Sequence, residues 1–230
     1  MEKKFVPEVE SNLRHRLVHV PESIYKASGI TVLGKRIKSL VFTTDIAIIN
    51  NTNGHAIMAV YPFTPTLAIT NAIISSSSLP VFAGVGGGIT SGPRSVNMAL
   101  QAEMMGAYGV IVNAPMKNET IREMKKVLDI PIVATIVSTF DDIEGKIDAG
   151  AAILNVSGGK NTAKLVREIR EKVGDKFPII ATGGDNDQNI TDTISAGANA
   201  LTYTPPTSGE IFHSVMANYR QNMRDKQDEE

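Results

Sequence analysis

The feature that most constrains this chain is a recurrence. Pro80-Val81-Phe82-Ala83, Pro131-Ile132-Val133-Ala134 and Pro178-Ile179-Ile180-Ala181 open in the same way, 51 and 47 residues apart. Each leads to a helix that ends in a Gly-Ala pair (Gly106-Ala107, Gly150-Ala151, Gly197-Ala198), and then to a second apolar run at 109–113, 152–156 and 200–204. Short β-branched runs without alternation read as strands buried on both faces, and glycine just past an amphipathic stretch is the expected helix stop. The intervals are long enough for two strand-plus-helix units each. With two earlier runs at 37–42 and 56–61, the chain holds eight strands alternating with helices. That pattern predicts a parallel sheet closed into a single (β/α)8 TIM barrel, with an open doubly wound sheet as the alternative.

The expected organisation is one domain over 1–230. It comprises an N-terminal helical and hairpin extension (1–36), the barrel (37–224) and a frayed charged tail (225–230). In the extension, Leu13, Leu17, Val18 and Val20 suggest one or two short helices ahead of Pro21, and Gly34-Lys35 marks a tight turn between extended runs. A length of 230 residues with 42% hydrophobic content suffices for one core. Lys+Arg 23 against Asp+Glu 24 gives no global field for nucleic acid or an anionic membrane. The absence of cysteine removes disulfides, thiol nucleophiles and thiolate metal sites. No apolar run has signal-peptide or membrane-spanning length, so the expectation is a cytoplasmic protein.

In such a barrel, chemistry sits at the C-terminal strand ends. The clearest unit there is 178–206, a strand ending in Gly183-Gly184, a helix, and the next strand. Paired glycines before a helix N-terminus let backbone N–H groups approach an anion such as phosphate. Asn155 to Gly159, the run 179–184 and 196–200 together resemble the closing half of the phosphate-binding TIM barrels. That superfamily includes ribulose-phosphate epimerases, phosphosugar isomerases and aldolases, thiamin-phosphate synthases and several FMN enzymes. The stretches 40–45 and 60–65 also resemble an uncharacterised bacterial barrel group labelled hydrolases. The resemblance implies that Gly183 and Gly184 donate N–H groups to a phosphate, and that the loop with Thr204, Ser208 and Gly209 completes the cradle. Where members carry Gly-Ser or Gly-Thr after strand eight, this chain has Pro205-Pro206, which removes two donors. No strand end supplies a Schiff-base lysine or a metal-binding histidine set.

The residues themselves give a short list of candidates. Asp45, at the end of the first barrel strand, is a general acid or base or a helix cap. Asn113 and Asn155 end alternate strands and can orient a hydroxyl or carbonyl, or simply satisfy the barrel top. Gly158 and Gly159 form a second glycine turn with Lys160 beside it. Gly86-Gly87-Gly88 lacks the dinucleotide spacing and reads as a flexible loop or a backbone cradle. Asp141-Asp142 and Asp185-Asn186-Asp187 read as caps rather than metal ligands, and His15, His19, His55 and His213 fall outside the site. The expected function is an enzyme acting on a small phosphorylated metabolite, of hydrolase, lyase or isomerase type. The alternatives are a non-catalytic phosphometabolite sensor and an FMN-binding barrel. No cofactor is assigned, FMN and a divalent metal remaining open. A homodimer through Met98, Leu100, Met104 and Met105 is a further option.

Overall fold

The computed structural model describes Phe5, Pro7, Val9, Ser11, Asn12, 17–184 and 186–228. Leu13, His15, Asp185 and the last two residues of the tail lie outside the described residues. A short 3-10 turn (Glu22–Lys26) leads into an antiparallel hairpin, β1 (Ile30–Val32) and β2 (Lys35–Ile37). Leu33 and Gly34 turn it with φ of 46° and 80°, the left-handed pair of a two-residue hairpin loop.

Eight further strands follow: β3 (Ser39–Phe42), β4 (Ala56–Ala59), β5 (Val81–Gly86), β6 (Gly109–Val112), β7 (Ile132–Ile136), β8 (Ala151–Val156), β9 (Ile179–Thr182) and β10 (Ala200–Tyr203). A helix follows each one in turn: α1 (Ile46–Ile49), α2 (Leu67–Ser76), α3 (Pro93–Met104), α4 (Asn118–Val127), α5 (Ile143–Asp148), α6 (Thr162–Val173), α7 (Asp187–Ser195) and α8 (Ser208–Asp228). The strands pair in parallel and in chain order, and β10 returns to β3 through Leu201↔Ser39 and Tyr203↔Val41. The sheet is a closed (β/α)8 barrel.

Two boundaries differ from the sequence reading. The run 37–42 is broken, because Ile37 belongs to the hairpin and Ser39 opens the barrel. The chain changes partner at Lys38, whose amide donates to His55 Nδ1 at 3.2 Å and whose carbonyl accepts from Leu201 at 2.9 Å. The tail expected to fray from residue 225 stays helical through Asp228. No glycine or proline follows Gly209, and Gln221 bonds Asp225 one turn on at 2.7 Å.

Side-chain alternation sorts the barrel interior into two zones. Leu40, Met58, Phe82, Ile111, Val133, Ile153, Ile180 and Ala200 form an inner cluster with Ile30, Val32 and Ile37. The hairpin therefore seals the N-terminal end of the barrel with apolar side chains. Two residues further along each strand the inward positions become Phe42, Val60, Gly84, Asn113, Thr135, Asn155, Thr182 and Thr202, a neutral and largely polar layer facing the C-terminal mouth. Of the face considered for a dimer, Met98 packs into the core while Met104 is exposed. No helix among the described residues is long and apolar enough to cross a membrane.

Phe82 fills the centre of the barrel at 1% exposure, and its ring lies where a Cβ on Gly109 would come within 2.7 Å. Phe82→Ala is expected to lower unfolding free energy by about 3–5 kcal/mol in denaturant titration. A loss under ~1 kcal/mol would mean that the interior is not packed as described.

Candidate functional site at the barrel mouth

A cavity of about 230 Å³ opens at the C-terminal mouth beside β4, β5 and β6. Tyr61, Phe63 and Thr64 come from the loop after β4, Gly86 and Gly87 from the end of β5, Ile89 and Thr90 from the loop beyond, and Asn113 from the end of β6. None of its lining side chains is charged. The glycine run is dictated by close approach as well as by backbone conformation. Gly86 and Gly87 have φ of 134° and 136°, and a Cβ on Gly87 would sit 2.5 Å from that of Asn113. A Cβ on Gly86 would meet the Ser95 hydroxyl at 2.4 Å, and that fully buried hydroxyl has no hydrogen-bond partner.

On the other side of the mouth, Asn155 is 8% exposed and faces the barrel interior from β8. Its Nδ2 donates to Thr135 Oγ1 of β7 at 3.3 Å, while Oδ1 is buried with no partner. Thr182 and Thr202 continue the inward face on β9 and β10. Their hydroxyls make only long bonds, at 3.5 and 3.4 Å, to the carbonyls of Val156 and Ala181.

Asp45 is a helix cap in this structure. Its Oδ1 accepts from the amides of Ala47 (2.9 Å) and Ile48 (3.4 Å), and its Oδ2 accepts from the amide of Ser208 at 3.3 Å. The Ser208 side chain, opposed by partial burial and helped by the three amides, holds this carboxyl below the ordinary aspartate range. Thr207 in turn gives its amide and hydroxyl to Glu210, both at 2.8 Å. Two carboxylates thus occupy the start of α8, where the resemblance would place part of a phosphate cradle. Thr204 and Gly209 are exposed beside them.

The glycine turns after β8 and β9 lie side by side, since Val156 pairs with Ala181. Gly183's amide donates to Thr202 at 3.1 Å, so the donor expected to reach a phosphate closes the barrel instead. Gly158's amide bonds Thr162 Oγ1 at 3.1 Å. Gly184 has φ +81° and a Cβ there would come within 2.7 Å of Asn189, whereas Gly159, at φ +58°, faces open space next to exposed Lys160. The capping expectations are met by Asp142, which accepts from Gly145 at 3.0 Å, and by Asn186, which accepts from Asn189 at 2.9 Å. Asp141 takes the amides of Val137 and Ser138 (2.7 and 3.0 Å), and Asp187 takes the Ser23 hydroxyl at 2.6 Å. His55 sits at the sealed end, and His213 lies on the last helix. Among the described residues no three His, Asp or Glu side chains gather in one place.

One residue that braces the rim of the mouth escaped the sequence reading. Lys146 is 4% exposed, and its Nζ donates to the carbonyls of Ala114 (3.1 Å) and Met116 (2.9 Å), in the loop that follows Asn113. Burial pushes its pKa down, against the pull of Asp141 and Asp142. The signal was a lysine on the apolar face of a short helix, between Ile143 and Ile147.

No protein-family model matches the chain, and no curated protein matches its sequence. Solved structures do share its shape. A phosphoenolpyruvate phosphomutase from Streptomyces platensis subsp. rosaceus aligns over 90% of this chain and 86% of its own, at 13% identity and a TM-score of 0.61. A phosphonopyruvate hydrolase aligns over 86% and 84%, at 14% identity and 0.61. A thiamine phosphate pyrophosphorylase from Pyrococcus furiosus aligns over 72% and 84%, at 18% identity and 0.52. Likeness at this identity establishes the barrel fold.

Two predictions follow from these contacts. A carboxyl with a depressed folded-state pKa stabilises above its unfolded value, near 3.9, and loses that contribution as pH falls through the folded one. Asp45→Asn keeps one acceptor where the carboxylate has two and sets an N–H donor against the Ser208 amide, so at pH 7 its melting temperature should fall below wild type while the acid limb of its stability curve flattens; an unchanged melting temperature and acid limb would remove Asp45 from this role. Lys146→Met should leave two carbonyls without their donor and cost about 1–3 kcal/mol in denaturant titration, with increased amide exchange at 114–117. Unaltered exchange there would show that Lys146 does not hold the loop.

Proposed function

We propose that this chain is an enzyme acting on a small phosphorylated metabolite at the C-terminal mouth of its barrel, by hydrolysis, lyase cleavage or isomerisation. The observation that carries the reading is the pair of adjacent glycine turns, Gly158-Gly159 and Gly183-Gly184. They stand beside Lys160 and the first turn of α7 and open onto the same mouth as Asn113 and Asn155. The anion lies over these turns, with the amides of Gly159 and Gly184 and the Lys160 ammonium as its partners. Structural neighbours named for phosphoenolpyruvate, phosphonopyruvate and thiamine phosphate support a phosphorus-containing ligand. Asn113 and Asn155 face the reacting end. Asp45 braces the loop after β10 against α1, and its lowered pKa suits a fixed anion better than a proton donor at neutral pH.

A second reading, a non-catalytic phosphometabolite sensor, draws on the inner wall, where none of the described strand-end residues that face inward is ionisable. Turnover separates the two readings once a ligand is known.

The test is a thermal-shift screen against inorganic phosphate, FMN and a panel of triose and sugar phosphates. A ligand at about 100 times its Kd stabilises by roughly 2.7 kcal/mol. Gly159→Asp is the control, because aspartate tolerates a left-handed backbone and nothing lies within 4 Å of its Cβ. A shift with one phosphorylated compound that this variant loses is expected; absence of any shift across the panel would sink the phosphate reading.

A further inference from the structure

We infer that the part of the ligand lying over β7 and β8 is an uncharged hydrogen-bond donor, a hydroxyl or an N–H, received by Asn155 Oδ1, and that carboxylates are rejected there. The inference rests on the reading that a small molecule occupies the mouth and adds the chemistry of its far end. Asn155 is more than nine-tenths buried, its Oδ1 has no partner, and strand alternation aims it at the mouth. Buried polar atoms are nearly always satisfied, so an orphan at the mouth of a barrel marks a bond that a ligand completes.

The orientation of the amide follows from its neighbour. Nδ2 donates to Thr135 Oγ1. Of the two amide atoms it is Oδ1 that is left with no partner at all. The unpartnered lobe of the amide, buried beneath the mouth, is therefore an acceptor, and it repels the acceptor oxygens of a carboxylate.

The surroundings act in the same direction. Thr135, Thr182 and Thr202 flank Asn155 on the inner wall, and all are neutral. A carboxylate set among them would lie in a water-poor place without a counter-charge. The threonine hydroxyls, held by long bonds to backbone carbonyls, can turn to meet a hydroxylated ligand. The site is built to tell an alcohol or amide terminus from an acid terminus on an otherwise similar molecule. It thus differs from the neighbours named for phosphoenolpyruvate and phosphonopyruvate, whose ligands end in a carboxylate.

The experiment measures dissociation constants by calorimetry on the full chain with matched probes. Glycerol 3-phosphate and dihydroxyacetone phosphate end in hydroxyls; 3-phosphoglycerate and phosphoenolpyruvate end in carboxylates; glycerol and erythritol carry no phosphate. Hydroxyl-ended phosphates are expected to bind about tenfold more tightly or better than carboxylate-ended ones, because a partner is completed in one case and a like lone pair opposed in the other. Asn155→Leu should erase the preference while the ligand-free protein melts no lower than wild type, and Asn155→Asp, which keeps an acceptor, should restore it. Equal or tighter binding of the carboxylates, or a preference that survives in Asn155→Leu, overturns the inference while leaving the phosphate reading intact. If no phosphorylated probe binds, that reading fails, and the neutral polyols decide: binding that Asn155→Leu loses supports the inference, and no binding overturns it.

Discussion

The rest of the structure depends on the closure of β10 onto β3. Eight short strands with apolar side chains on both faces would expose one face or two edges in any open arrangement. Leu201 paired with Ser39 and its amide bonded to the Lys38 carbonyl remove both edges at once. Closure then divides the molecule by direction. All strands run the same way, so every loop after a strand arrives at one end and every loop after a helix at the other. The hairpin covers the latter end, and its Ile30, Val32 and Ile37 complete the inner cluster.

This division explains how much was legible in the sequence. The recurrence of Pro-Val-Phe-Ala and its two relatives reports a local pattern, and local pattern suffices to count strands and predict closure. Lys38 was not legible as a break, because nothing in the run 37–42 says that its partners change from a hairpin to His55 and Leu201. Gly183 shows the same limit at the site. A paired glycine at a strand end admits an anion cradle and a tight closure equally, and only the position of Thr202 shows that its amide belongs to the barrel. Asn155 was readable as an inward amide from alternation. That its amide oxygen has no partner depends on register across β7 and β8, which sequence spacing does not encode.

The electrostatics of the mouth are governed by the periphery rather than by the wall. Asp45, Glu210, Asp141 and Asp142 all accept backbone N–H groups of the loops and helix starts around the rim. They fix the loops and leave the inner surface neutral. Lys146 works in the same way from outside, gripping two carbonyls just after Asn113. Around this mouth the carboxylates and Lys146 hold the rim, and neutral groups line the inner wall.

The two ends of the barrel also differ in how completely their own interactions are satisfied. At the sealed end, apolar side chains meet apolar side chains and the hairpin leaves the interior closed. At the mouth, Ser95 and Asn155 keep buried polar atoms without partners, and Phe63, Ile89 and Phe140 stand exposed on the surrounding loops. Each feature opposes folding by a modest amount, and each would be removed by an ordinary substitution such as leucine for Asn155 or a polar residue for Ile89. Among the described residues the two buried polar atoms without partners, Ser95 Oγ and Asn155 Oδ1, both lie toward one end, and such a cost marks a place where a fold serves something other than its own stability. In this molecule that place coincides with the C-terminal mouth, where strand direction alone would put the chemistry.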